Sequence, residues 1–230
     1  MSIDVRSSKN SEYRKRAFNV PMHRWLSYYH QISEVLELAG RQPKTFDVMS
    51  SSDDPPPKVL LIGIGDGITP AILTIYGMQV TTFDITDTLS PDVLGDVKEI
   101  DRHFQRNSYD VIVCCQVLEH LEYSFFESIL KQFQLIAPTV VLALPCNKIP
   151  LFTGVVGLPG MLLWLHLSFK RIKQKMSHSS HLWEVGTKGC STSQIRNVIK
   201  NHFDIISEYP FLVNACHRYY VLGRKGIHNI

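Results

Sequence analysis

Two rhythms of apolar positions alternate along the chain. Short runs at Val59–Ile62, Gln79–Phe83, Val93–Val97, Tyr109–Cys114 and Thr139–Leu144 read as strands, several of them apolar enough to be buried on both faces. Elsewhere the apolar residues recur at helical spacing. Trp25, Leu26, Tyr29, Ile32, Val35, Leu36 and Leu38 form such a stripe from Met22 to Leu38, with Gly40 where a helix can stop, and they predict a helix covering the sheet edge. Thr69 and Pro70 offer a cap and a first-turn proline for a helix reaching Tyr76. Leu118, Leu121, Phe125, Phe126, Ile129, Leu130 and Phe133 predict a helix after the fourth strand. Ser191 is placed to cap a helix through Ile199, after which Phe203–Glu208 and Tyr219–Leu222 read as closing strands. Strands alternating with helices make a mostly parallel α/β sheet. Ser50–Pro57 ends in a proline run and reads as a solvated linker into the first strand. The expected organisation is a tail, cover helix and linker over 1–57 and a sheet domain over 58–230, with an insertion at 147–182.

The candidate chemistry lies at the first strand-to-helix junction. Val59-Leu-Leu-Ile-Gly-Ile-Gly-Asp-Gly67 carries a buried strand into a glycine turn, and Val80-Thr-Thr-Phe-Asp84 ends the second strand on a carboxylate seventeen residues after Gly67. In a parallel sheet both lie at the carboxyl edge, where open α/β folds bind ligands, and a carboxylate there suits a ribose diol. Dinucleotide sites need a third glycine so that the helix packs closely and brings its N-terminus to a pyrophosphate. Here Ile68 stands in that position. Gly63, Gly65 and Gly67 therefore suit a ligand without pyrophosphate, whose amino-acid portion lies against the backbone, and they disfavour a dinucleotide oxidoreductase.

With these residues the chain resembles the class I S-adenosylmethionine-dependent methyltransferases, in particular their small-molecule, type 11-like group. Gly95-Asp-Val97 is similar to the family's third-strand end, where an acid meets the adenine amino group, and Asp110-Val-Ile-Val-Cys-Cys-Gln-Val-Leu-Glu-His-Leu121 is similar to its fourth strand and following helix. The resemblance spans Lys58 to Lys225 in the family's order. It implies a Rossmann-like, doubly wound seven-stranded sheet whose last two strands form an antiparallel hairpin, and S-adenosyl-L-methionine as cofactor. It assigns Gly63, Gly65 and Gly67 to the methionine part, Asp84 to the ribose, Asp96 with Val97 to the adenine, and Cys115 with Gln116 to the floor near the sulfur. Two departures stand out. The acid that family members carry on the first strand is replaced by Leu61, leaving Asp66 as the substitute for the methionine amino group, and the connection from Asp84 to Asp96 is short for a full crossover helix.

Methyl transfer from a sulfonium is an in-line displacement, so alignment and exclusion of water come first and a base is needed only if the nucleophile must lose a proton. His120, after the fourth strand, is one candidate. His181-Leu-Trp-Glu184 resembles a segment of some small-molecule and glycan-pathway members, making His181 and Glu184 candidates to orient or deprotonate substrate, with Trp183 as packing. His178, His181 and Glu184 also lie at three-residue spacing, which on a helix would share a face and suit a divalent metal. Ser179, Ser180 and Gly186 argue against a helix there, and no metal is expected.

The insertion changes the picture of the substrate. Between Ile149 and Phe169 twenty-one residues carry no formal charge, and Lys170-Arg-Ile-Lys-Gln-Lys175 follows. About twenty apolar residues suffice to cross a bilayer, but a crossing would part the closing helix and strands from the sheet they complete. Large apolar side chains gain roughly 1.5–3 kcal/mol each on full burial, so this segment must cover something. A lid over the substrate pocket is the leading expectation, and a membrane-surface element over 149–175, its basic run on headgroups, is the competing one. Pro150, Pro159, Gly154, Gly157 and Gly160 predict a bent, broken segment.

Composition narrows the classes. With 230 residues, 44% apolar and 20% charged, the chain is ordinary globular material with room for one well-buried domain and appendages. A net charge of +3 is too small to argue for nucleic acid, and no Asp-Pro-Pro-Tyr motif follows the fourth strand, so no nucleic-acid partner is expected. Five cysteines without C-x-x-C spacing, and a polar Met1–Arg16 unlike a secretory signal, predict a reduced cytoplasmic protein. The expected function is methyl transfer to a small, partly apolar or lipid- or glycan-linked acceptor. The alternative is a cofactor-binding scaffold of the same fold without turnover.

Overall fold

A computed structural model describes residues 22–40, 55–158, 161–170, 176–211 and 217–226. The expected tail at 1–16, the linker before Pro55, Pro159, Gly160 and the basic run past Lys170 lie outside them. In chain order the elements are α1 (Met22–Leu38), β1 (Lys58–Ile62), α2 (Ile68–Ile75), β2 (Gln79–Asp84), β3 (Val93–Leu94), β4 (Val111–Cys115), α3 (Phe126–Ile136), β5 (Thr139–Pro145), β6 (Lys148–Leu158), β7 (Met161–Lys170), α4 (Thr192–His202), β8 (Phe203–Pro210) and β9 (His217–Arg224). Seven strands form one sheet in the order β3-β2-β1-β4-β5-β9-β8. The first five are parallel, and β9 enters antiparallel between β5 and β8. This is the doubly wound sheet with a closing hairpin that the sequence implied.

The alternation of side chains along the central strands builds two apolar layers. On one face Leu60, Ile62, Ile112, Val140 and Leu142 meet Phe126, Ile129, Leu130 and Phe133 of α3 and Ile195 and Ile199 of α4. On the other face Val59, Leu61, Val111, Val113 and Val141 meet Ile32, Val35 and Leu36 of α1 and Leu73 of α2. The N-terminal helix is therefore a cover for the middle of a sheet face, not for its edge. Only part of its apolar stripe serves that role, since Trp25 and Tyr29 remain 45% and 64% exposed.

Three local expectations change. The cap of α2 is Gly67, in the left-handed region at φ +78°, while Thr69 sits inside the helix and donates its hydroxyl to Gln31 Oε1 at 3.0 Å. The stripe after β4 does not form one helix: 3-10 turns at Leu118–His120 and Tyr123–Phe125 precede α3, because the chain must turn out of the sheet before it can lie along it. The insertion is a two-stranded antiparallel ribbon, β6 with β7, outside the main sheet. Pro150, Gly154 and Gly157 do not break it; the register shifts between Pro150 and Phe152, where an absent N–H is cheapest. The Ser191 cap holds as a reciprocal capping box with Gln194. Among the described residues no helix is long and apolar enough to cross a membrane.

Candidate active site

The carboxyl edge of β1, β2 and β4 opens into a cavity of about 960 Å³, lined by Leu61, Gly63, Gly65, Asp66, Asp84, Asp96, Val97, Cys115, Gln116, His120 and His181 among others. That volume is near the top of the range for small-molecule sites, with room for a nucleoside and a second ligand. Its two ends are built differently.

At the glycine end the backbone does the work. Gly63 has φ +80°, and a Cβ there would lie 2.5 Å from Val117 Cγ2, so both the turn and its closeness to the chain leaving β4 require glycine. The Gly63 N–H donates to Phe83 O at 2.9 Å, tying the turn to β2. Asp84 completes the tie: one carboxylate oxygen accepts from Ile64 N at 2.9 Å and the other from Thr86 N at 2.8 Å. Each oxygen keeps a lone pair for a ligand hydroxyl. Asp96 accepts from Lys98 N at 3.0 Å and pairs with the Lys98 ammonium at 2.9 Å, capping the turn that carries Val97. Leu61, 3% exposed, serves the core as well as the wall.

Asp66 takes a hydrogen bond from the Tyr28 hydroxyl and one from Ile68 N at 3.3 Å. Burial and this carboxylate together push the Tyr28 phenol well above its usual range, so it stays a donor. Tyr28 belongs to α1, as do Arg24, Ser27 and Gln31, which also line the cavity. Ser27 bonds the Tyr219 hydroxyl at 2.6 Å and Thr69 bonds Gln31, so α1 is stitched to β9 and α2 across the cavity mouth. These residues were missed in the sequence; the helical stripe showed the buried face of α1 but gave no sign of what its polar flank touches.

Gln116 sits at φ +60°, an uncommon backbone for a side-chain-bearing residue, and its buried amide nitrogen finds no acceptor among the described residues. An unmet donor lining the cavity fits a bound polar ligand. Beside it, burial, with Glu119 adding to it, pushes the Cys115 thiol far up.

The other end is assembled from distant segments. Past the ribbon, Cys146 pairs with Val185 in a parallel bridge, Asn147 N donates to Val185 O at 2.9 Å, and Val185 N donates to Pro145 O at 2.8 Å, so the His181–Glu184 segment extends the end of β5. Leu182 N reaches Glu119 O at 2.8 Å, and Trp183 Nε1 donates to Leu121 O at 3.0 Å from a core position against Tyr123 and Phe126. Trp183 is packing, as expected. This stitching brings His120 and His181 together, ring centroids 5.2 Å apart. Glu184 is fully buried, accepts from Ser177 N and Oγ, and holds His181 Nδ1 at 2.8 Å. His120 Nδ1 lies 3.1 Å from Ser180 O. Among the described residues Glu119, also fully buried, has neither carboxylate oxygen bonded outside its own residue, and burial lifts its pKa to about 8, with the nearby Glu184 adding to the rise. The sequence placed Glu119 beside His120 but gave no sign that it points inward. The segment is not helical, so the three-residue spacing of His178, His181 and Glu184 makes no common face.

A family model described as a methyltransferase domain matches residues 60–134. No curated protein matches significantly. Among solved structures, the PH0226 protein of Pyrococcus horikoshii OT3 is 15% identical, with a TM-score of 0.50 over 86% of this chain and 91% of that one. The 1,6-didemethyltoxoflavin-N1-methyltransferase of Burkholderia thailandensis, solved with 1,6-didemethyltoxoflavin and S-adenosylhomocysteine, is 14% identical, with a TM-score of 0.50 over 98% and 93%. The bifunctional kinase-methyltransferase WbdD is 13% identical, with a TM-score of 0.51 over 89% of this chain, which spans only 40% of WbdD. At these identities the likeness is one of fold. Residues 60–134 match a methyltransferase-domain family model, and the chain around them has the fold of the class I S-adenosylmethionine-dependent methyltransferases.

Proposed function

We infer that the protein transfers a methyl group to a small, partly apolar or lipid- or glycan-linked acceptor bound at the histidine end of the cavity. The observation that carries this reading is a single cavity with the glycine turn and Asp84 at one end and His120 and His181 at the other. The cofactor supplies the methyl as a substituent of a sulfonium. Gly63, Gly65 and Gly67 receive its amino-acid part, Asp66, held by Tyr28, faces its amino group in place of the first-strand acid that Leu61 lacks, Asp84 takes the ribose, and Asp96 with Val97 takes the adenine. Cys115 and Gln116 form the floor between the two ligands. His181, turned by Glu184, and His120 orient the acceptor and ease the loss of its proton.

The apolar ribbon supports the acceptor class. It leaves the chain just after β5 and returns before Ser177, which lines the cavity, so an uncharged stretch of sequence springs from the acceptor rim. That placement supports the reading of 149–175 as a lid, or as a contact with a membrane surface, in a protein working in the cytoplasm. Isothermal titration with S-adenosylhomocysteine tests the cofactor half, and transfer of labelled methyl into the lipid or small-molecule fraction of an extract tests the acceptor half. Absence of binding at millimolar ligand overturns the reading, and binding without transfer to any fraction returns the chain to a scaffold.

A further inference from the structure

We propose that Glu119, His120 and His181 hold a divalent transition-metal cation at the acceptor end of the cavity. One ligand atom from each of the three residues lies within 4.8 Å of the other two. The chemistry of their neighbours decides which atoms face inward. Ser180 O, bonded to His120 Nδ1 at 3.1 Å, is a carbonyl and only accepts, so Nδ1 carries the proton and Nε2 the lone pair. Glu184 Oε1 likewise takes the Nδ1 proton of His181 at 2.8 Å, leaving Nε2 of that ring with the lone pair. Metal-bound histidines are held in this way, by a carboxylate or carbonyl on the far nitrogen.

The third group points to a ligand independently. Glu119 is fully buried, its two oxygens have no bonding partner outside the residue among the described residues, and the nearest cationic candidate among these, His181 Nε2, stands 3.9 Å from Oε1. That gap is too long for a hydrogen bond and lies just inside the roughly 4.0–4.4 Å that two bonds of 2.0–2.2 Å can span, so a small inward turn of either side chain would let an ion bridge it. Two imidazoles and one carboxylate favour a first-row transition ion over magnesium or calcium. Because His120 and His181 line the cavity, the remaining coordination positions open toward the acceptor.

The inference rests on the acceptor lying at this end. A cation held there would lower the pKa of a coordinated acceptor hydroxyl, whose proton would pass to solvent; the oxygen would bond the methyl carbon as the sulfur–methyl bond breaks, leaving a neutral thioether. The competing occupant of the gap is a proton on His181 paired with Glu119.

Untagged protein, stripped with EDTA, is titrated calorimetrically with MnCl2 and ZnCl2 and spectroscopically with CoCl2. One ion per chain is expected, with visible cobalt bands, and Glu119→Gln and His120→Asn are each expected to weaken binding at least tenfold while S-adenosylhomocysteine affinity stays within about twofold. His120 is exposed, so its variant carries the test should Glu119→Gln fail to fold. No saturable binding of any of the three ions, or binding that His120→Asn leaves unchanged, overturns the proposal in favour of the protonated pair. The cofactor titration on the same samples keeps the two readings apart: thioether binding without metal sinks the cation alone, and metal without thioether sinks the methyltransferase reading alone.

Discussion

The two ends of the cavity solve opposite problems. The glycine end is made within one β-α-β stretch: Gly63, Ile64 and Asp84 are neighbours because β1 and β2 are paired in register, and most of the contacts are backbone N–H groups. The histidine end is made by side chains from the exit of β4 and from a segment about sixty residues later, joined by that segment's pairing beside the end of β5 and by the bonds of Leu182 N to Glu119 O and Trp183 Nε1 to Leu121 O. Backbone donors cost nothing to orient once the sheet forms, whereas a buried carboxylate and two imidazoles need a partner for every polar atom. The first end is suited to a constant cofactor, and the second to a changing acceptor.

That contrast can be broken most forcefully at Gly63. Gly63→Ala puts a methyl against Val117 and a side chain at positive φ, which costs about 2–4 kcal/mol in stability by denaturant titration. Cofactor binding falls with it, since the turn must move. Asp84→Asn keeps the shape and removes the charge, so calorimetry should show S-adenosylhomocysteine bound roughly 10–100-fold more weakly, with far-ultraviolet circular dichroism unchanged. Glu184→Gln acts at the opposite end. It loosens His181 and should lower kcat about 10–100-fold in a methyl-transfer assay while thioether affinity holds; a matching fall in affinity would show that the ends are not separable. Tyr28→Phe sharpens the comparison at its smallest scale, since losing one hydroxyl from Asp66 should weaken cofactor binding only about two- to tenfold.

Local pattern carried some elements and not others. The bounds of α1, the strands β1, β2, β4 and β5 and the Ser191 cap were legible because each rests on nearest-neighbour spacing or on a run of apolar residues. The helix expected over Leu118–Phe133 breaks into turns where Trp183, far away in sequence, packs against Tyr123 and Phe126 and donates to Leu121 O. The ribbon was read as bent because proline and glycine argue locally against strands, yet pairing over ten residues overrides that preference.

By itself the sequence determined where the central strands lie along the chain, the glycine turn and the carboxylate at the end of β2, since these follow from apolar runs and from conformations that only glycine adopts readily. Only the tertiary structure decided that α1 lies over the sheet face with Tyr28 on Asp66, and that Glu119, His120 and His181 converge. Those meetings depend on which surfaces the core brings together, and the burial that leaves Glu119 without a partner is a property of the packed molecule, not of any segment.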